Sequence, residues 1–73
     1  MTFEQAIKRA KRTGVKKAGA EEFLALICET LATLHAISPA LVFEGAKKRK
    51  LTAKQVAKLA LDDPVGLGDL MFV

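Results

Sequence analysis

A single cysteine, Cys28, and a single histidine, His35, set the main constraint on how this 73-residue chain can fold. An internal disulfide cannot form, and the two residues are too few for a structural zinc site. A chain of this size buries only about 60% of its extended-state surface, and small chains usually add a disulfide, a metal or a second copy. The sequence therefore predicts either an unusually well-packed core or oligomerisation. We expect a symmetric homodimer without metal or cofactor.

The apolar content supplies material for such packing. Hydrophobic residues make up 51% of the chain, which excludes intrinsic disorder. No run reaches the ~20 apolar residues that a bilayer-spanning helix needs, so no membrane partner is predicted. The first residues lack the apolar segment of a secretory signal, and together with the lone cysteine this predicts a cytoplasmic location.

The first predicted helix begins after Thr2, which can form a capping box with Gln5. Apolar residues at helical spacing share one face: Phe3, Ala6, Ile7 and Ala10. Gly14 suits the left-handed position after the helix, and Val15 is expected to pack back against Ala10. The basic side chains of this segment lie mainly off the apolar stripe.

The second predicted helix begins near residues 19–21 and extends to about Ile37, because Pro39 disfavours a helical conformation at Ser38. Its predicted apolar face consists of Phe23, Leu24, Ile27, Leu31 and Leu34, bordered by Cys28 and His35. Ala25 falls on the opposite side. The apolar arc spans about 140°, whereas a surface helix needs only somewhat over 100°. We therefore expect a central core helix, whose extra width also suits a dimer contact.

A third start signal is Ser38 followed by Pro39, a cap and a proline at the first helical position. It predicts a short helix through Phe43 that ends near Gly45. A short strand is the alternative for this apolar run.

A second capping box, formed by Thr52 and Gln55, predicts a helix from Ala53 to about Leu61. Residues 62–64 end that helix, and residues 65–68 have the pattern of a glycine-broken turn. The predicted fold is thus all-α, a small bundle of three to four helices with an ordered apolar C-terminal tail. It forms a single helical domain over residues 1–73.

Residues 51–59 resemble the first helix of the helix-turn-helix in the excisionase-like and winged-helix families. They carry the threonine cap, the polar pair, the Val-Ala step and the leucine that are common there. The resemblance implies a DNA-reading second helix at residues 65–71. That segment contains Gly66, Gly68 and Asp69, and it has no Lys, Arg, Asn or Gln to contact base edges.

No constellation of reactive residues points to catalysis. Cys28 and His35 lie about 10 Å apart along one helix, too far for a thiolate–imidazole pair. Gly66 and Gly68 match only half of a dinucleotide-binding pattern and follow no strand. We expect a protein that is not an enzyme. Cys28 is interpreted as a small buried hydrophobe, and His35 as a boundary residue.

Charge is arranged in blocks, with a formal net charge of +4. Residues 1–17 and 47–58 are basic, and residues 18–46 and 62–69 are acidic. Such patches bind phosphates or acidic protein surfaces. The predicted contacts to either are Lys8, Arg9, Lys11, Arg12, Lys16, Lys17, Lys47, Lys48, Arg49 and Lys50.

The apolar end of the chain completes the prediction, because chain termini are normally polar. It is expected to dock on its own core or on another chain. The predicted partner-binding residues are Leu41, Val42, Phe43, Leu70, Met71, Phe72 and Val73. These features favour a small non-catalytic regulator or adaptor that binds a protein with an acidic surface and modulates it. The alternatives are a basic nucleic-acid-binding transcriptional regulator, with a degenerate helix-turn-helix, and a structural subunit of an assembly.

Overall fold

A computed structural model describes residues 1–72, and every regular element in that range is helical. Five α-helices follow one another: α1 (Phe3–Thr13), α2 (Ala20–Leu34), α3 (Pro39–Lys48), α4 (Ala53–Asp62) and α5 (Pro64–Asp69). A 3-10 turn, Val15–Lys17, connects α1 to α2. The prediction of an all-α fold is confirmed, and the apolar run after Ser38 is a helix rather than a strand.

Side-chain caps begin four of the helices. Thr2 Oγ1 accepts a hydrogen bond from the Gln5 N–H at 3.2 Å, and Gln5 Oε1 accepts one from the Thr2 N–H at 3.0 Å. The Thr52–Gln55 pair repeats this box at 3.2 and 2.8 Å. Ser38 caps α3, with Pro39 at its first position. Each cap satisfies backbone donors that the first helical turn leaves free.

The end of α1 differs from the prediction in one respect. Gly14 has a positive φ of 85°, and its N–H donates to the Ala10 carbonyl. Val15, however, begins the 3-10 turn with an exposed side chain instead of packing against Ala10.

Helix α2 ends at Leu34, so its predicted extension to Ile37 is wrong. The segment 35–38 forms the connection to α3 instead. Lys47, near the end of α3, contacts Glu21 at the start of α2, so the two helices run antiparallel. A reversal of this kind needs a loop of about 2–5 residues, and a helix reaching Ile37 would leave too few.

The segment predicted as a glycine-broken turn forms helix α5. Asp63 Oδ1 accepts a hydrogen bond from the Gly66 N–H at 3.1 Å, and Pro64 occupies the first helical position. The same cap-and-proline pattern starts α3, so the signal was present in the sequence. Glycine has a low helix propensity. In α5 this is outweighed by the Asp63 cap, by Pro64 at the first position and by the burial of Leu67.

Helix α2 is the centre of the fold, in contact with α1, α3 and α4. Its buried face is shifted from the predicted one. Leu24 and Leu31 are buried as expected, but Ala25 is buried as well, whereas Phe23 and Leu34 are exposed. The small side chains of Ala25 and Cys28 let the neighbouring helices approach α2 closely. The larger side chains of Phe23 and Leu34 lie at the edge of this contact. The fully buried core includes Ala6, Ala25, Cys28, Val42, Phe43, Ala46, Val56 and Leu67.

Candidate functional site

Three of the residues predicted to bind a partner lie in the core. Val42 and Phe43 are fully buried, and Leu70 is nearly so. Leu41 is 52% exposed and Phe72 is 70% exposed. Met71 is half-buried and Val73 lies outside the described residues. Of the two alternatives that the sequence left open for Val42, Phe43 and Leu70, core or partner contact, the fold places these three side chains in the core.

The chain uses these apolar residues to close its own core. The Phe43 ring meets the Phe3 ring edge-on, with centroids 5.7 Å apart. The Leu70 carbonyl packs directly on Gly45 of α3, at a position where any side chain would collide with it. Arg49 donates hydrogen bonds to the Gly45 carbonyl at 3.2 Å and to the Phe72 carbonyl at 3.0 Å. The tail is thereby docked on α3.

A groove of about 380 Å³ opens between the start of α2 and the start of α4. Leu24 and Ala53, both buried, form its floor, and Phe23 and Leu51 form its walls. Its remaining lining is contributed by Ala20, Glu21, Lys47, Thr52 and Lys54. The volume of the groove and its mostly apolar lining are typical of sites that bind a few side chains of a ligand.

The two lysines of the groove differ in their surroundings. Lys47 Nζ lies 3.5 Å from Glu21 Oε2 and 5.0 Å from the centroid of the Phe43 ring, and it donates to the Met1 carbonyl at 2.7 Å. Its charge is largely compensated. Lys54 is exposed and forms no ion pair with any residue of the 1–72 range. The groove therefore has one free positive charge at its rim.

Apolar residues with exposed or partly buried side chains continue from the groove along both helices. On α2, Ile27 and Leu34 follow Phe23 at helical spacing, and Leu34 is 72% exposed. On α4, Leu61 lies on the same edge as Lys54 and is 85% exposed. Together these residues form what we call the α2–α4 surface: Phe23, Ile27, Leu34, Leu51, Lys54 and Leu61. The excess width of the α2 apolar arc, which predicted a core helix with room for a dimer contact, is the sequence signal for this surface.

The ten basic residues predicted to contact phosphates or an acidic surface fall into two groups. Lys11 lies 3.6 Å from Glu29, Lys47 is paired with Glu21, and Arg49 is bound to the tail. The others are exposed and have no ion pair within residues 1–72: Lys8, Arg9, Arg12, Lys16, Lys17, Lys48 and Lys50. The hydrogen bond from Lys47 Nζ to the Met1 carbonyl also ties the end of α3 to the start of α1.

Residues with potential for catalysis or metal binding are not brought together. Cys28 is buried, and burial raises the pKa of its thiol to about 12, which keeps it protonated and unreactive. No three His, Cys, Asp or Glu side chains within residues 1–72 are grouped to hold a metal ion. In the same range, no helix has the length and apolar character to cross a bilayer.

Helices α4 and α5 are joined through Asp63 alone. The helix-turn-helix motif has a turn of about 3–4 residues. Helix α5 spans only six residues and bears no basic or amide side chain. This pair thus lacks the connection and the reading helix that the resemblance implies.

No protein-family model, curated protein or solved structure matches the chain.

Proposed function

We propose that the protein is a non-catalytic adaptor that binds an acidic amphipathic helix of another protein on the α2–α4 surface. The observation that carries this proposal is the apolar groove between Phe23 and Leu51, which remains open after the core has closed. A folded chain gains nothing from leaving such a groove in water, and apolar grooves of this kind are common docking sites for helices.

The shape of the surface favours a helical ligand. From Phe23 to Leu34 the α2 stripe extends over about 16 Å, or three helical turns. Side chains at positions i, i+4 and i+7 of a bound helix would lie along this distance. The ligand would place its largest apolar side chain between Phe23 and Leu51.

The charge of the rim favours an acidic ligand. Lys54 and Lys58 lie one helical turn apart on α4, and both are exposed. Acidic residues flanking the apolar positions of the ligand would meet them, which raises the association rate and discriminates against basic helices. Binding would alter the partner's activity by covering its helix.

Fluorescence anisotropy with two labelled 14-residue peptides tests this proposal. Both carry leucines at helical spacing, and they differ only in having glutamate or lysine at the polar positions. We expect the protein to bind the glutamate peptide at least tenfold more tightly. Equal affinity for both peptides, or none for either, would contradict the proposal.

Two substitutions localise the binding. Leu61→Glu and Lys54→Glu introduce a negative charge on exposed residues of the α2–α4 surface, and each should weaken the glutamate peptide about tenfold. Val65→Glu, on the exposed face of α5, is the matched control and should leave the affinity unchanged. Equal weakening by all three would place the peptide elsewhere.

A further inference from the structure

We propose that the exposed face of α1, continued by the end of α3, binds the phosphate backbone of a nucleic-acid duplex. This second binding site uses none of the residues of the α2–α4 surface, so it does not depend on the adaptor proposal. Four features of the face support it: the positions of the basic side chains on α1, their lack of ionic partners, the length of the face, and its chemistry.

The buried face of α1 fixes which side chains point to solvent. Ala6, Ile7 and Ala10 pack into the core. At 100° per residue the opposite stripe carries Lys8 and Arg12, with Arg9 at its edge. With Met1 and Gln5, these three side chains line a shallow depression of about 610 Å³.

The three cations are not neutralised by the fold. The remaining α1 cation, Lys11, lies on the side of the helix and is paired with Glu29. Glu4 is the one acidic residue of α1. Lys8, Arg9 and Arg12 thus present unpaired charges. Arg12 lies four residues after Lys8 and three after Arg9, which is about 5–6 Å between Cβ atoms.

Further cations extend the face at both ends. Lys16 and Lys17 follow α1 in the exposed 3-10 turn. At the other end, Lys47 Nζ donates to the Met1 carbonyl, which ties the end of α3 to the start of α1. The exposed Lys48 and Lys50 follow Lys47 in the chain. Helix α1 alone is about 16 Å long, the length of about five base-pair steps at 3.4 Å each.

The chemistry of the face suits phosphates rather than bases or lipids. Lysine and arginine neutralise phosphates by releasing counterions, and one amide, Gln5, is insufficient for reading a base sequence. Insertion into a membrane interface needs large apolar side chains, and this face offers only Met1 and, in the 3-10 turn, Val15. Binding should therefore be independent of sequence and strongly dependent on salt.

Anisotropy of a fluorescein-labelled 20-base-pair DNA duplex, measured between 50 and 200 mM salt, tests the proposal. With Lys8, Arg9, Arg12, Lys48 and Lys50 in contact, log K should fall with log salt at a slope of about −4 to −5. No binding at 50 mM salt would overturn the proposal.

A pair of triple variants with equal charge distinguishes the α1 face from the net charge. Lys8→Gln/Arg9→Gln/Arg12→Gln should weaken binding more than tenfold and reduce the slope by about 3. The control, Lys11→Gln/Lys54→Gln/Lys58→Gln, removes the same charge outside the face and should change affinity less than threefold. Circular dichroism confirms that both remain folded. Equal losses would overturn the assignment to α1.

Vesicles containing anionic lipid give the last comparison. The wild-type protein should bind the duplex at 100 mM salt and leave phosphatidylserine-containing vesicles unbound. Binding to vesicles with no binding to the duplex would assign the face to a membrane and overturn the proposal.

Discussion

Lys50 adopts the left-handed backbone conformation that ends α3, with a φ of 56°. The Leu51 N–H donates to the Ala46 carbonyl and the Lys50 N–H to the Lys47 carbonyl, which is the Schellman pattern. Glycine usually occupies this position because a Cβ is unfavourable there. Lys50→Gly should raise the free energy of unfolding by about 0.5–1 kcal/mol. Urea unfolding measures it, and a decrease would contradict the helix ending described here.

Gly45 is required by the docked tail. A Cβ at this position would collide with the Leu70 carbonyl, whereas a Cβ at Gly68 would meet nothing within 4 Å. Gly45→Ala should destabilise the protein by at least about 2 kcal/mol, because backbone atoms must move. The control, Gly68→Ala, should be neutral or stabilising, since alanine is the better helix former. Similar effects of both in urea unfolding would mean that the tail does not pack on α3.

The buried thiol of Cys28 should make the stability of the protein depend on pH in the alkaline range. Burial raises the pKa of its thiol from 9.0 to about 12. Below pH 9 the thiol is protonated in both the folded and the unfolded chain, so it contributes no pH dependence. Above pH 9 only the unfolded chain releases the proton, so the free energy of unfolding should fall by about 1.4 kcal/mol per pH unit until about pH 12.

Comparison with Cys28→Ala isolates this effect, because the other titrating groups are shared. The unfolding free energies of the two proteins, measured at pH 8, 9.5 and 10.5, should converge as the pH rises. A constant difference would contradict the burial of the thiol. The protonated thiol should also react with disulfide reagents at pH 7.5 only after unfolding.

At the scale of the elements, the starts of α1 to α4 could be predicted from the sequence, but the buried face of α2 could be predicted only in part. Thr2, Ser38 and Thr52 act locally, through hydrogen bonds to residues three positions away. A periodic pattern shows that α2 is apolar over a wide arc. The part of the arc that is buried depends on how α1, α3 and α4 pack against α2. The small side chain of Ala25 lets them approach on its side of the helix.

Because burial depends on how the helices pack, the sequence also could not tell whether the apolar residues of α3 and of the tail lie in the core or at an interface. Val42, Phe43 and Leu70 are apolar enough to suit an interface, but they are also the residues that fill the core. Leu61 has the same apolar character and is exposed. Composition cannot separate the two cases, because burial follows from tertiary packing.

Helix α5 should depend on one side chain for its docking. Leu67 is fully buried, whereas Val65, two positions earlier, is 76% exposed. Leu67→Ala should lower the free energy of unfolding by about 2–4 kcal/mol, as removal of a buried leucine does in other cores. Val65→Ala should change it by less than about 0.5 kcal/mol. Urea unfolding of the two variants measures the difference, and equal values would mean that α5 is not packed as described.

At the scale of the whole molecule, the two proposed surfaces use different helices. The basic face lies on α1, which packs against α2 and α3, and the apolar groove is bounded by α4, which packs against α2 and α5. Variants of one surface should therefore leave the other intact. A protein with both surfaces could hold an acidic helix beside a nucleic acid.

The measurement that tests the central claim most directly is a two-dimensional ¹⁵N–¹H NMR titration with the unlabelled glutamate peptide. The account predicts that the largest shift changes cluster at residues 20–34 and 51–61, and that α1 and α5 change little. It also predicts that the signals of Phe23 and Leu61 stay unchanged on dilution without peptide. Shift changes clustered on α1, or dilution-dependent changes at Phe23 and Leu61 that reveal a second copy in the groove, would contradict the claim that this groove receives the helix of another protein.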